Sequence, residues 1–312
     1  MSPGAGDRPT DAPPHAALRV PAPDDGTREV PWSERVALPD GTPVLMPNAA
    51  AWLAESAGEV DAELLALPYP TLCRLARVLP EIGAEVPLRA ALREVLATHA
   101  PDGARLAVEA GCGVGPDLPA LRAVADAVVA VDGGVANARV ARALVRGEAV
   151  AGLARHEGRS FATGEDIVRA ALDGVTVVVG NALELPLRDA CADVALAANL
   201  VDSIRDPLRL IAELDRVLRP GGLLVLTSPF AWDDRITPPE AQLGGSTIPA
   251  FAAMGSEAAL AAILRGETPW LSHLRYAILE TRDVPWTLRD HARATSTYDV
   301  HLLVARKATA TG

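Results

Sequence analysis

Cysteine and aromatic residues are scarce in this chain of 312 residues. The three cysteines, Cys73, Cys112 and Cys191, are odd in number and widely spaced, which argues against a disulfide framework or a cysteine metal cluster. We expect them to be core thiols in a reducing compartment. Aromatic residues make up 4% of the chain and hydrophobic residues 49%, so the core must consist mainly of Ala, Val and Leu.

An excess of positive charge and a long apolar run are also missing. The formal net charge is −11, which disfavours nucleic-acid binding through the bulk surface, because phosphate contacts require Lys and Arg. No apolar run approaches the ~18 residues that cross a bilayer. The first twenty residues carry acids and lack the apolar core of a secretory signal. The expected location is the cytoplasm, without a membrane partner.

The hydrophobic pattern divides the chain into three parts. Residues 1–30 are rich in Pro, Gly and Asp and predict a disordered tail, and residues 31–103 predict a helical prefix. In residues 104–312, short apolar runs alternate with amphipathic helical patterns, which is typical of a doubly wound α/β sheet. Two insertions are expected, one near 147–174 with a further helix and one near 231–295 as a C-terminal cap.

The segment VEAGCGVGPDL, residues 108–118, predicts the ligand site. Three glycines in five positions follow an apolar strand, so a backbone turn there lets a ligand come close. A dinucleotide turn would read G-x-G-x-x-G, but Pro116 follows the last glycine here. A phosphate-binding loop would need Lys followed by Ser or Thr, and neither is present.

An acidic residue before G-x-G-x-G at the end of the first strand resembles motif I of class I S-adenosylmethionine-dependent methyltransferases. Three further features lie in the order of that family: an acid ending the second strand, Asn-Ala after the third, and LRPGG at 218–222 before the fifth. The resemblance implies a Rossmann-like seven-stranded sheet and S-adenosylmethionine as cofactor. It implies that the cofactor contacts Glu109, Gly111, Gly113, Gly115, Asp132, Asn181, Ala182 and Asn199.

The resemblance also indicates where the reaction takes place. In this fold the transferred methyl group lies near the end of the fourth strand, so Asn199 and Asp202 are expected to face the reacting centre. A base is needed if the nucleophile carries a proton, and the candidates are Asp202, His291 and His301. No metal cluster is visible.

Segments 199–207, 228–245 and 298–307 resemble the methyltransferase domain of ovothiol biosynthesis, which methylates an imidazole nitrogen of a mercaptohistidine. Ser203, Phe230 and Gln242 stand where that family has Arg, Tyr and Trp. These changes lie on the substrate side, so common ancestry is favoured over a common substrate.

Three functions remain open from the sequence. The first is a methyltransferase that acts on a small polar metabolite, to which the acidic surface and the ovothiol-like segments point. The second is a protein or RNA methyltransferase, and the third a non-catalytic cofactor-binding protein whose prefix binds a partner. The sequence leaves the acceptor atom and the oligomeric state undetermined.

Overall fold

The computed structural model describes residues 36–46, 49–245 and 247–309. The disordered tail predicted for residues 1–30 lies outside this part of the chain. Among the described residues, no helix combines the length and apolarity that crossing a membrane requires. The three cysteines are free thiols, with Cys112 buried and the other two partly buried.

The described strands are, in chain order, β1 (Val44–Leu45), β2 (Ala104–Ala110), β3 (Ala125–Asp132), β4 (Val150–Glu157), β5 (Ser160–Ile167), β6 (Val175–Gly180), β7 (Ala192–Ala198), β8 (Leu218–Ser228), β9 (Tyr276–His291) and β10 (Ala294–Lys307). Eight of them form one sheet in the order β1-β6-β3-β2-β7-β8-β10-β9. Strands β1 to β8 of this sheet are parallel, and β10 runs antiparallel to both neighbours. The expected doubly wound α/β fold is confirmed, with β1 as an additional edge strand.

The described α-helices are α1 (Ala49–Glu55), α2 (Ala57–Val60), α3 (Tyr69–Val78), α4 (Pro87–His99), α5 (Leu118–Val124), α6 (Val135–Val145), α7 (Pro207–Val217) and α8 (Ser256–Arg265). Side chains of α4, α5 and α6 pack on one face of the sheet, and those of α7 and α8 pack on the other. Because both faces are covered, the central strands are apolar along nearly their whole length.

Helix α7 begins with a side-chain cap and a proline. The Asp206 carboxylate accepts a hydrogen bond of 2.9 Å from the backbone N–H of Arg209 and so caps the first turn. Pro207 occupies the first helical position, where its missing N–H costs nothing. Leu210, Ile211 and Leu214 are fully buried against the sheet.

The helical prefix contributes directly to the core of the sheet domain. Leu88, Leu92 and Leu96 of α4 are fully buried in the same apolar cluster as the strands. Leu72 and Leu75 of α3 belong to a smaller cluster that includes side chains from α6 and β4. The prefix also supplies β1, a strand of two residues that its sequence pattern did not predict.

The prediction of a helix within residues 147–174 is wrong, because β4 and β5 form an antiparallel hairpin there. Most side chains of β5 are exposed, so its sequence has no apolar periodicity to indicate a strand. Gly152 allows the two backbones to meet, since a Cβ at this position would lie 2.6 Å from the carbonyl oxygen of Glu165. Gly158, with φ of +50°, lies in the connecting turn.

The cap expected at residues 231–295 is only partly correct. Residues 231–275 form loops and α8, but most of the remainder is β9, the edge strand of the main sheet. Residues 294–300 of β10 pair with β9 and not with β8, so this hairpin continues past the end of β8. Pro285 is compatible with β9 because an edge strand tolerates a missing N–H.

The strand order places the candidate site. From β2, the chain adds β3 and β6 on one side of the sheet and then β7 and β8 on the other side. The strand order therefore reverses between β2 and β7. Ligands of open α/β sheets bind at the carboxyl ends of the strands at such a reversal. The glycine turn follows the carboxyl end of β2, and Asn199 follows the carboxyl end of β7.

Candidate functional site

The glycine turn has the backbone conformation that its sequence predicts. Gly111, Gly113 and Gly115 have φ angles of +71°, +55° and +76°, in the left-handed region that favours glycine. A Cβ at Gly111 or Gly115 would lie within 3 Å of a leucine side chain, whereas a Cβ at Gly113 would meet no atom within 4 Å. Gly113 therefore borders open space in which a ligand can approach the backbone.

This open space is a pocket of about 150 Å³ at the carboxyl ends of β2 and β7. The prefix, the glycine turn, the two strand ends and β9 all contribute to its wall. Its lining residues are Arg74, Val78, Arg89, Glu109, Gly111, Cys112, Gly113, Val114, Pro116, Asp117, Asn137, Ala198, Asn199 and Trp286.

Glu109 is the buried acid of this pocket. It is 1% exposed, and its Oε2 atom has no hydrogen-bond partner among the described residues. Burial raises the pKa of Glu109 well above its usual range, and the nearby Asp117 carboxylate raises it further, while Arg89 lowers it. A ligand that brings a positive charge would favour the ionised form and give the free oxygen a partner.

Asp132, at the end of β3, is linked to the glycine turn. Its Oδ2 atom accepts a hydrogen bond from Gly113 N at 2.8 Å, and its Oδ1 atom accepts from Gly134 N at 2.8 Å and from Asn137 Nδ2 at 3.1 Å. Burial raises the pKa of Asp132, and the hydrogen bonds from Gly134 and Gly113 oppose this effect. Asp132 thus holds the glycine turn against the start of α6.

Asn181 and Ala182 follow the end of β6, the third strand of the parallel series. The Oδ1 atom of Asn181 accepts a hydrogen bond of 2.9 Å from Leu183 N, and both residues are half-buried. Neither residue lines the pocket beside Gly113. They lie two strands from β2 on the parallel sheet, so their contact with the cofactor stays a prediction.

Asn199 has a strained backbone and a fixed side chain. Its φ of +53° is unusual for a residue with a Cβ, and the Thr227 hydroxyl donates a 2.8 Å hydrogen bond to its Oδ1 atom. This bond leaves the Nδ2 atom as the free donor, and that atom is buried with no partner among the described residues. Asn199 thus provides a donor in the wall that also holds the Glu109 acceptor.

Asp202 and His301 both lie beside the segment that follows β8. Asp202 is 3% exposed, its Oδ2 atom accepts a 2.7 Å hydrogen bond from Ala231 N, and burial raises its pKa. His301 pairs with Ser228 across the sheet, and its ring lies 6.0 Å from that of Phe230. Its Nδ1 atom is 3.1 Å from Asp283 Oδ1, a contact that orients the imidazole.

His291 lies elsewhere, at the end of β9 next to the turn into β10. Its Nδ1 atom accepts a hydrogen bond from Arg293 N at 3.2 Å. The neighbouring Ala292 N–H donates to the carbonyl oxygens of Arg155 and His156 in the β4–β5 hairpin. His301 pairs with Asp283 of β9, and His291 lies eight residues beyond Asp283 on that strand. The structure therefore does not bring His291 to Asp202.

Comparison with known proteins identifies the sheet domain. Residues 108–226 match the family model described as a methyltransferase domain. The match begins in β2, just before the glycine turn, and ends in β8. The comparisons support a class I S-adenosylmethionine-dependent methyltransferase, with S-adenosylmethionine as cofactor, but they give no support to the resemblance to the ovothiol enzyme.

Curated relatives of this part of the chain include mycobacterial proteins. A probable S-adenosylmethionine-dependent methyltransferase of Mycolicibacterium smegmatis is 39% identical over 62 residues, 20% of this chain and 24% of that protein. An uncharacterized methyltransferase of Mycobacterium bovis is 43% identical over 70 residues, 22% of this chain and 27% of that protein. A probable S-adenosylmethionine-dependent methyltransferase of Mycobacterium tuberculosis is 32% identical over 126 residues, 40% of this chain and 36% of that protein.

The chain thus spans between 24% and 36% of the length of these curated relatives. Among solved structures, a methyltransferase from Aquifex aeolicus has a TM-score of 0.45 at 16% identity, with 77% of this chain and 98% of that chain covered.

Several residues of the methyltransferase pocket could not be found from the sequence. Arg89 of α4, Asp117 after the glycine turn and Trp286 of β9 line it, and Glu81 of the prefix binds two of them. Glu81 and Trp286 are separated by 205 positions, and no motif links them. The proline-flanked helical pattern of residues 87–99 predicted the helix but not which side chain faces the ligand.

The residues of the pocket fit the amino-acid end of S-adenosylmethionine. That end carries an ammonium group and a carboxylate. Glu109 offers a buried acceptor without a partner, and Asn199 offers a buried donor without one.

Proposed function

We propose that this protein transfers the methyl group of S-adenosylmethionine to a small polar metabolite. The observation that carries the proposal is the pair of buried polar atoms without partners, Glu109 Oε2 and Asn199 Nδ2, in a pocket beside the open glycine Gly113. Buried polar atoms almost always have partners in folded proteins, so such a pair is best explained by a ligand.

The resemblance to class I methyltransferases suggests a cofactor-binding role for each of these residues. Glu109 binds the ammonium group, and Gly111, Gly113 and Gly115 shape the turn beside the amino-acid end. Asp132 retains lone pairs for the ribose hydroxyls in addition to its three protein contacts. Asn181 and Ala182 contact the adenine, and Asn199 donates to the cofactor near the reacting centre.

When bound, the cofactor would supply an electrophilic methyl group on a positively charged sulfur, with the neutral thioether as the leaving group. The chain's task is to align the acceptor and to exclude water. Asp202 is the first candidate for the base, because it lies buried three residues after Asn199 and its raised pKa makes the carboxylate a better proton acceptor. His301, oriented by Asp283, is the second candidate.

The surroundings of Asp202 favour a flat, polar acceptor. The Phe230 ring lies 6.2 Å from that of Trp232 and 6.0 Å from that of His301, so three aromatic rings cluster around the carboxyl end of β8. A heteroaromatic ring can stack on such a cluster while a carboxylate accepts its proton. We extend the proposal to an imidazole nitrogen of a histidine-derived compound, which agrees with the ovothiol-like segments.

Two other functions remain as alternatives. A protein or RNA methyltransferase would bind a large substrate, and the net charge of −11 argues against RNA. A non-catalytic binding protein would have no need for a buried acid near the reacting centre, so Asp202 argues for catalysis.

The test uses the full chain and S-adenosylmethionine with an isotopically labelled methyl group. The protein is incubated with a metabolite extract that has been separated from protein and RNA, and with those fractions in parallel. Label in a small molecule, lost in an Asp132→Ala variant, supports the proposal. Label confined to protein or RNA would replace the small acceptor by a macromolecule, and absence of label in all fractions would favour the binding protein.

A further inference from the structure

A buried network of charged residues joins the prefix, the glycine turn and β9. Arg89 donates to Glu81 Oε2 from Nε at 2.9 Å and from Nη2 at 2.8 Å, and from Nη1 to Asp117. Trp286 Nε1 donates to the other oxygen of Glu81 at 2.6 Å. Three of the four residues, Arg89, Asp117 and Trp286, also line the cofactor pocket.

The network contains more acids than bases. Glu81, Asp117 and Glu109 are 6%, 3% and 1% exposed, and Arg89, which is 9% exposed, is the cation that they share. Both oxygens of Glu81 are hydrogen-bonded, and Asp117 is paired with Arg89. Glu109 is left with an oxygen that has no hydrogen-bond partner among the described residues. Arg89 acts on Glu109 through its positive charge, which lowers the pKa of the Glu109 carboxyl group.

The charged groups that face Glu109 come from four parts of the fold. Asp117 after the glycine turn and Asp132 at the end of β3 disfavour its ionised form. Arg89 of α4 and Arg169, just after β5, favour that form, with Arg89 the stronger of the two. Asp117 itself is held by Arg89, while Glu81 opposes its ionisation and Arg93 favours it weakly.

We infer that Arg89 is a positioning residue for the cofactor site: it holds Asp117 in place, and its charge favours the ionised form of Glu109 that the cofactor's ammonium group needs. The inference rests on the proposed function, because it assumes that S-adenosylmethionine binds at Glu109. It assigns the helical prefix a role in cofactor affinity in addition to its role in the core.

The experiment measures the dissociation constant of S-adenosylmethionine by calorimetry from pH 6 to pH 8.5 for the full-length protein and for Arg89→Met. Without the cation, the pKa of Glu109 rises, so a larger fraction is protonated at a given pH. Each pH unit by which the pKa exceeds the assay pH weakens binding by about tenfold. We expect Arg89→Met to bind about tenfold more weakly at pH 7 and to regain affinity as the pH rises.

A second variant is expected to shift the pH profile of cofactor affinity in the opposite direction. Asp117→Asn removes the like charge that raises the pKa of Glu109 but leaves an oxygen that can accept from Arg89. Its affinity profile is expected to shift toward lower pH. Arg89→Lys keeps the charge and is expected to keep the pH at which affinity is half-maximal.

Arg282→Met is the matched control, because Arg282 pairs with Glu94 at 2.7 Å and so also connects β9 with α4, but on the surface. Its pH profile should match that of the wild type.

Equal pH profiles for the wild type, Arg89→Met and Asp117→Asn would overturn the inference. A loss of affinity in Arg89→Met that is the same at every pH would also overturn it, since this would indicate direct contact or general damage. Failure of the wild-type protein to bind S-adenosylmethionine at any pH would instead overturn the proposed function. If Arg89→Met does not fold, Arg89→Lys and Asp117→Asn remain: a half-maximal pH of Arg89→Lys that departs from the wild type, or a profile of Asp117→Asn that does not shift, would overturn the inference.

Discussion

The open face of Gly113 leads to a quantitative prediction for Gly113→Ala. Gly113 has a φ of +55°, and an added Cβ would contact no protein atom within 4 Å. The new methyl group would therefore occupy the space assigned to the amino-acid end of the cofactor. Because Ala retains its N–H, the hydrogen bond to Asp132 remains possible.

The magnitude has two parts, and a control separates them. An alanine in the left-handed region costs about 1–2 kcal/mol of folding free energy, which lowers the Tm of a domain of this size by about 2–4 °C per kcal/mol. Gly103→Ala should cost the same folding free energy, because Gly103 has a φ of +66° and open space around its Cβ position. Gly103 precedes the amino end of β2, whereas the pocket lies at the carboxyl end of that strand.

Of these two variants, only Gly113→Ala should weaken cofactor binding. Forcing a methyl group into filled space costs about 1–3 kcal/mol, which corresponds to about a 5- to 150-fold increase in Kd. Calorimetry with S-adenosylmethionine measures the Kd, and thermal unfolding without cofactor measures stability. If Gly113→Ala binds the cofactor as tightly as Gly103→Ala does, the amino-acid end does not lie beside this turn.

Three further predictions concern the acids of the site. Asp132→Ala should weaken cofactor binding in calorimetry because the ribose hydroxyls lose an acceptor, and unchanged affinity would remove Asp132 from the site. Burial holds the pKa of Glu109 well above its unfolded value, so the folded state retains the proton longer, and the free energy of unfolding should fall as the pH rises above the ordinary glutamate pKa. Glu109→Gln should reduce this fall in cofactor-free thermal unfolding, and an unchanged pH dependence would contradict the assignment. Asp202→Asn should slow methyl transfer by about a hundredfold or more if Asp202 is the base, with little change in cofactor Kd, whereas an equal rate would assign the proton to another group.

The parts of the fold with strong local patterns could be predicted from the sequence. The last five residues of the strand that ends in Asp132 are buried, and the Asp206 cap of α7 acts between neighbours in sequence. The glycine turn could be predicted because its conformation depends on residue type at three closely spaced positions. In each case a short segment contains the whole signal.

The parts that escaped prediction depend on distant contacts or on exposed strands. The β4–β5 hairpin has few buried side chains, so it lacks the periodicity that indicates a strand. The wall of the pocket joins Glu81 and Arg89 to Trp286 across the fold. Each of these residues has an ordinary local pattern, and only the packing of the prefix against β9 brings them together.

The bond between Trp286 and Glu81 has a consequence for the newly made chain. Synthesis proceeds from the N terminus, so Glu81 and the glycine turn leave the ribosome well before Trp286, which lies 205 positions after Glu81. Until β9 has been made and has joined the edge of the sheet, the pocket lacks part of its wall. A ligand stabilises only the state that binds it, so cellular S-adenosylmethionine would protect finished molecules and leave unfinished ones exposed to proteases.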